Sequence, residues 1–296
     1  MKTLQKFAIA GILVLPVLIG IVMLLHQGPV HGSMYTPSAF KHIGLVQVRG
    51  TIMESEEYVR QLQSFRLDNS IAGVILRIDS PGGAVAPAQE IYAEVMKYRS
   101  EHKPLAVSMS TVAASGGYYI ASPAAKIFAD PGTLTGSIGV IFTLPLFQEL
   151  AKKIGVEFRV FTAGKLKDIG SPYRAMTGEE KMFIENLLRD THEQFIADVA
   201  AARGMRRDSL ARYADGRVLT GRQACAAHLI DTLGSYEDAL NWLRTFTGIT
   251  LNAKVVQRKT ASSRLRELLE EETVRIFPAL YQFLRPAGLY YLMNLK

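Results

Sequence analysis

The run Ala72-Gly-Val-Ile-Leu-Arg-Ile-Asp-Ser-Pro-Gly-Gly83 decides the fold class. Its apolar residues are contiguous rather than alternating, as in a strand covered on both faces, and the Pro-Gly-Gly turn ends it abruptly. Working outward, Ile43-Gly-Leu-Val-Gln-Val reads as another strand and Glu56 to Phe65 as an amphipathic helix. Ala88 to Tyr98 reads as a helix and Leu105-Ala-Val-Ser-Met-Ser as the next strand. Further β-like runs are Lys126-Ile-Phe-Ala, Ser137-Ile-Gly-Val-Ile-Phe and Glu157-Phe-Arg-Val-Phe. Strands alternating with helices of these lengths predict an α/β domain with largely parallel, buried strands.

Beyond this core, Thr177 to Gly204 reads as one long helix. Thr177-Gly-Glu-Glu180 offers a capping box, and Phe183, Leu187, Phe195 and Val199 recur at near-helical spacing. Thr220 to Gln223 and Ser235 to Asp238 repeat the capping pattern. The tail opens with a charged helix at Arg264 and ends in an aromatic, apolar run. Pro278 and Pro286 break that run, so it is not a clean membrane span. No internal repeat or low-complexity block is present.

Hydrophobic residues make up 48% and charged residues 21% of the 296, enough apolar material for a sizeable core. The net charge of +7 is spread along the chain, and aromatics do not interleave with a basic stripe, which argues against a nucleic-acid partner. A single cysteine, Cys225, excludes an intrachain disulfide and reads as a packing residue on a small-residue helix face. No histidine pair has zinc-ligand spacing, and neither metal nor cofactor is expected.

The mean hydropathy of +0.12 owes much to Phe7–Leu25, nineteen residues without a charge. About 20 apolar residues cross a bilayer core as a helix, whereas the apolar region of a cleaved signal peptide is ~7–15 residues long. With no Ala-x-Ala site after Leu25, the segment is expected to be an uncleaved anchor in contact with lipid. Lys2 and Lys6 ahead of it predict a cytoplasmic N-terminus and an exported remainder. Residues 26–41 read as a linker.

Two glycine turns stand at successive strand ends, Asp79-Ser-Pro-Gly-Gly83 and Ala113-Ala-Ser-Gly-Gly117. Amide hydrolysis through a serine needs an exposed hydroxyl, a proton acceptor and donors for the oxyanion. Ser115, at a strand-to-helix turn, lies near helix N–H groups that favour negative charge, and the glycine after it leaves its backbone N–H open. The first Gly-Gly turn is a candidate for the second donor. None of His26, His31, His42, His102, His192 and His228 sits in a glycine-framed or acid-flanked turn, which leaves lysine as the base. Burial would ease a lysine's loss of its proton. Gly164-Lys-Leu-Lys167-Asp-Ile-Gly-Ser-Pro carries two candidates, Lys165 and Lys167.

The chain resembles the signal peptide peptidases of the SppA type, serine proteases of peptidase family S49. The resemblance covers roughly Ile43 to Gly234. It rests on Asp79-Ser-Pro-Gly-Gly, Met109-Ser-Thr-Val-Ala-Ala-Ser-Gly-Gly-Tyr-Tyr, Leu134-Thr-Gly-Ser-Ile-Gly-Val and Lys167-Asp-Ile-Gly-Ser-Pro, in that order. It implies a ClpP/crotonase-like fold, Ser115 as nucleophile and Lys167 as general base, with Lys165 outside the motif. By the same resemblance Gly83 and Gly116 supply the oxyanion hole and Ser137 orients the lysine. The family's long form carries a tandem duplication. This chain has one copy of the core and resembles the short form, in which serine and lysine come from neighbouring subunits of a homo-oligomeric ring. The implied substrates are signal peptides left in the membrane. The expected organisation is residues 1–6 in the cytoplasm, an anchor at 7–25, a linker at 26–41, a protease domain at 42–245 and an extension at 246–296. The expected place is the bacterial cytoplasmic membrane, with the catalytic domain outside. Two alternatives are a related protease cutting one integral-membrane protein, such as a stomatin-like partner, and a crotonase-like acyl-CoA enzyme.

Overall fold

A computed structural model describes residues 41–249, 253–258 and 289–293. The expected cytoplasmic residues 1–6, the anchor at 7–25, the linker up to residue 40 and most of the extension lie outside the described residues. Among the described residues no helix is long and apolar enough to cross a membrane.

The order of elements is β1 (His42–Arg49), α1 (Glu56–Arg66), β2 (Ile71–Ser80), β3 (Gly82–Ala84), α2 (Val85–Ser100), β4 (Leu105–Ala114) and α3 (Gly116–Ala121). There follow β5 (Lys126–Ala129), β6 (Leu134–Gly136), β7 (Ile141–Phe142), α4 (Gln148–Lys153), α5 (Gly178–Arg203) and α6 (Arg207–Ala211). The last are β8 (Val218–Thr220), α7 (Gly221–Ala226), β9 (Thr232–Leu233), α8 (Tyr236–Thr247), β10 (Val255–Val256) and β11 (Leu289–Leu292). The main sheet runs β10-β1-β2-β4-β5-β9 with every neighbour parallel; β6 adds to β4, and β8 pairs antiparallel with β6. This is the expected α/β class with a parallel core, compatible with a ClpP/crotonase-like fold.

Both faces of the sheet are covered, which explains the unbroken apolar run in β2. Val46, Val48, Val74, Leu76 and Ile78 pack with Leu62, Phe65, Ile91 and Val95 of α1 and α2. The intervening Ile43, Leu45 and Ile75 pack with Leu240 and Leu243 of α8. Alternate residues of one strand thus serve opposite layers. Each such aliphatic side chain stabilises the fold by ~1.5–3 kcal/mol when fully buried.

β4 outruns its partner β5. Its last three residues pair instead with β6, from Val112 opposite Leu134 to Ala114 opposite Gly136. Between β2 and β4 the register jumps, with Ile78 opposite Met109 but Ser80 opposite Ala113. An irregularity of this kind re-aims a strand end, here towards the turn after β2. A second, antiparallel sheet, β3-β11-β7, lies over the same end.

The capping expectations hold. Thr177, Thr220 and Ser235 each start a helix with a reciprocal capping box, and Gly204 closes α5 at φ +63°. Cys225 is partly buried on α7 against the core. Three expectations need correction. Of the run Ser137–Phe142 only Ile141–Phe142 is a strand; Ser137 instead turns back at φ +50°. Glu157 to Phe161 forms no strand at all. A strand needs a neighbour for its N–H and C=O groups, and none lies alongside among the described residues. Of the apolar face read on α5, Phe195 and Val199 are buried but Phe183 and Leu187 stand 42% and 40% exposed.

Candidate active site

Ser115 occupies the single residue between β4 and α3, with φ +54° and ψ −117°. Such a conformation costs a non-glycine residue ~1–3 kcal/mol, so its surroundings must impose it. They do so from both sides. The Ser115 N–H donates to the Gly136 carbonyl at 2.8 Å, and its own carbonyl accepts from Tyr119 N at 2.8 Å. The residue is 1% exposed, yet its Oγ has no hydrogen-bond partner among the described residues. A buried hydroxyl left unpaired costs ~1–3 kcal/mol. The fold therefore holds a strained serine whose hydroxyl is free to react.

The glycines around it leave the backbone bare. A Cβ on Gly83 would collide with the Ile52 carbonyl oxygen, which accepts the Ala84 N–H at 2.7 Å. Ile52 N in turn donates to Gly82 O at 2.8 Å, so Ile52 clamps the turn from one side and leaves the Gly83 N–H on the other. A Cβ on Gly82 would lie 2.7 Å from Gly116 N, and one on Gly116 would lie 3.2 Å from Gly83 N. The two N–H groups are thus neighbours. Gly116 opens α3, where no carbonyl of the helix is available to its N–H. A pair of such donors beside a free hydroxyl is able to hold an oxyanion.

Because Ala114 lies opposite Gly136, Ser137 sits beside Ser115. Its N–H donates to the Arg217 carbonyl at 2.8 Å. It lines a cavity of about 520 Å³ that also touches Ile141, Arg189 and His192. Asp79 and Ser80 do turn work: Asp79 Oδ1 accepts from Val112 N at 3.2 Å and Ser80 Oγ from Gly82 N at 3.1 Å.

Lys167 is a different matter. It is exposed, in a stretch of turns between α4 and α5, and is not bonded to Ser115, whose Oγ has no partner among the described residues. The single chain brings Ser115, Ser137, Gly83 and Gly116 together but does not join Lys167 to them. Lys165, the other candidate, is 75% exposed and paired with Glu179 at 2.6 Å. Asp168 and Glu180 share Arg174: Arg174 Nε donates to Asp168 Oδ2 at 2.9 Å and Nη1 to Glu180 Oε2 at 2.8 Å. Those guanidinium bonds hold the Asp168 carboxyl below its ordinary range and bring Glu180 down to about 2, helped by the Thr177 N–H. The lysine's segment is tied to the start of α5 rather than to the serine. Around it Leu146, Leu150, Ile154, Val160 and Phe161 are 56–93% exposed.

Of the described histidines, none bonds Ser115. Among the described residues no three His, Cys, Asp or Glu side chains converge to hold a metal ion. Three parts of the site were not anticipated from sequence: Ile52, Ile141–Phe142 as the far wall of the cleft, and β11 lying between β3 and β7. The aromatic run of the tail was visible, but a short strand carries no mark of a partner two hundred residues away.

The profile of peptidase family S49 matches residues 97–250. A Synechocystis sp. protein provisionally named a protease is 37% identical over 217 residues, covering 73% of this chain and 78% of its own length. A provisionally named signal peptide peptidase SppA of Enterococcus faecium is 35% identical over 204 residues, covering 69% of this chain and 59% of its own. Protease 4 of Salmonella typhi is 35% identical over 207 residues, covering 67% of this chain and 33% of its own.

Proposed function

The chain belongs to peptidase family S49 and is a serine-type peptidase, and from that premise we propose that it is a membrane-anchored endopeptidase working through a Ser115–Lys167 dyad. The observation that carries this reading is Ser115 itself, a strained, buried serine with an unpartnered Oγ beside the N–H groups of Gly83 and Gly116.

Neutral Lys167 Nζ takes the Ser115 Oγ proton as Oγ adds to the substrate carbonyl carbon. The resulting oxyanion accepts from Gly83 N–H and Gly116 N–H. Collapse breaks the C–N bond, and the lysine returns the proton to the departing amine. A water then gives its proton to Nζ and its oxygen to the acyl carbon, releasing the acid and restoring the serine. Ser137, next to Ser115, holds the lysine in line.

The base comes from a second copy of the chain. Among the described residues Ser115 Oγ meets no base, Lys167 is exposed, and an apolar surface surrounds it. Exposed apolar area on this scale marks a contact surface. A ring of identical subunits would bring each Lys167 to the next Ser115 and supply the dry setting that a neutral lysine needs. In this reading residues 42–245 are the protease domain and 246–296 an extension. Phe7–Leu25 anchors it in the bacterial cytoplasmic membrane, behind the cytoplasmic residues 1–6 and ahead of the linker at 26–41, with the domain outside. Signal peptides left in that membrane are the substrates, since anchoring confines enzyme and peptide to one surface.

The test is hydrolysis of a released signal peptide by the full chain in detergent. Wild type and Lys165→Ala should cut it, and Ser115→Ala and Lys167→Ala should not. Normal turnover by Lys167→Ala would remove the dyad.

A further inference from the structure

We propose that a cavity at the end of the sheet opposite Ser115 binds a phosphate group, that of an anionic lipid headgroup, through Arg99, His102 and Arg203. The lipid as its source rests on the reading of Phe7–Leu25 as a membrane anchor; the phosphate site itself does not.

β1, β2, β4 and β5 run parallel, so they begin at one end of the sheet, and Ser115 follows the other end of β4. Pro104 and Ala125, just ahead of β4 and β5, border a cavity of about 500 Å³ at the end where the strands begin. The 10 residues of β4, at ~3.3 Å each, put it ~30 Å from Ser115. It is no part of the peptidase site. The linker from the anchor joins the domain at this same end, where β1 starts at His42. Two strand spacings and the stagger of the register place His42 ~15 Å from the start of β4.

The cavity is lined by Arg99, His102, Lys103 and Arg203 against a single carboxylate, Asp231. Both oxygens of that carboxylate are occupied: Oδ1 accepts from Arg203 Nη2 and Oδ2 from Ile127 N, each at 2.7 Å. Lys103 is occupied as well, because its Nζ donates to the carbonyls of Phe65, Arg66 and Asp68. It adds positive charge but no free donor. The guanidinium groups differ. Arg99 Nη1 donates to the Ala202 carbonyl at 2.5 Å, which is its one bond among the described residues. Arg203 has a side chain only 9% exposed, yet its Nε has no partner among the described residues. Each fork is therefore oriented by one bond and has N–H groups to spare. Two such forks on one cavity match the several oxygens of a phosphate. Phe246 borders the same cavity and is 63% exposed. An exposed aromatic ring beside a phosphate site suits the boundary between headgroups and acyl chains, whereas a free phosphate offers that ring nothing to pack on.

Trp242, the chain's one tryptophan, stacks on Phe246 with ring centroids 5.0 Å apart, so its fluorescence reports on the cavity. Full-length Ser115→Ala chains in dodecyl maltoside are titrated with dihexanoyl phosphatidylglycerol, dihexanoyl phosphatidylcholine and inorganic phosphate. The anionic lipid should change the emission saturably and bind about 10-fold more tightly than either of the others. Arg99→Gln, at an exposed position, should weaken it on the order of 10–100-fold, as when a hydrogen bond to a charged group is lost. His102 sits at φ +55°, where Asn is tolerated, and His102→Asn should weaken it about 2–10-fold. Lys165→Gln removes an equal charge far from the cavity and should change nothing. No saturable response to the anionic lipid, or equal weakening by Arg99→Gln and Lys165→Gln, would overturn the site. Inorganic phosphate binding as tightly as the anionic lipid would overturn the lipid as its ligand. None of these outcomes depends on turnover, so the peptidase reading stands or falls apart from them. Recovery of the full chain in the soluble fraction of lysed cells, with binding as described, would remove the anchor and keep the phosphate site.

Discussion

Around Ser115 the chain fixes nearly everything. The serine is held through Gly136 and Tyr119, the neighbouring turn is clamped by Ile52, and Gly83 tolerates no side chain. Around Lys167 it fixes little. The lysine is exposed, the run 157–161 has no strand partner, and Phe161 is 93% exposed. One polar network, Arg174 with Asp168 and Glu180, ties that segment to the helix after it. The contrast is between a serine fixed by its own chain and a lysine that the described residues leave exposed. Strain persists where the surrounding structure over-determines it; the lysine segment carries exposed apolar side chains, which the proposed ring would cover.

The sharpest way to break this contrast is to remove either reactive group. Ser115→Ala and Lys167→Ala should each lower kcat/KM on the order of 10⁴-fold or more, and by similar amounts, because in the proposed dyad the two act as a unit. Circular dichroism should show both folded. A large loss for one and little for the other would separate them.

The rigid half predicts the next largest effect. Gly83→Ala puts a methyl group into the Ile52 carbonyl and displaces the N–H proposed as an oxyanion donor, so activity should fall ~10²–10³-fold, as when one such donor is lost. The melting temperature should fall too. Near-normal kinetics would show that Gly83 N–H is not used.

The loose half predicts a variant that is stable yet inactive. Phe161→Glu places a charge on a residue that is already exposed, so monomer stability should change by no more than about 0.5 kcal/mol. Assembly should weaken, seen as a smaller particle in analytical ultracentrifugation, with activity falling in proportion. An unchanged particle with unchanged turnover would take Phe161 out of the interface.

The smallest effect concerns acid. Glu180 is held at about 2 against an ordinary 4.5, chiefly by Arg174, so its contribution is full above about 4.5 and is lost as pH falls through its folded value. Protection of residues 164–180 against hydrogen exchange, taken relative to the intrinsic rate at each pH, should therefore fall between pH 4.5 and 2 in wild type and be low already at pH 6 in Glu180→Gln. Identical exchange in the two proteins would mean that Arg174 does not hold the segment.

The same division decides what the sequence could disclose. β2, with its unbroken apolar run, and the capping boxes at Thr177, Thr220 and Ser235 were legible because burial on both faces and helix ends leave local signatures. The two glycine turns were legible as turns, and the structure supplies their adjacency through the register jump between β2 and β4. Glu157 to Phe161 misled, since an alternating run records an apolar face and not whether a strand waits beside it. Ser137 was read into a strand that begins only at Ile141, because a left-handed serine is invisible in composition. The tail's strand was hidden by distance along the chain: β11 pairs with residues some two hundred positions earlier, and nothing local encodes that.

Whether the serine and lysine of one working site come from two chains is tested most directly by mixing. Ser115→Ala and Lys167→Ala chains, each inactive alone, are combined under conditions that allow subunits to exchange, and hydrolysis of a signal peptide is followed. A shared site predicts that activity returns, because some interfaces then pair an intact Ser115 with an intact Lys167. Mixed oligomers that demonstrably form and stay as inactive as their parents would place both residues of the dyad in one chain and contradict the shared site.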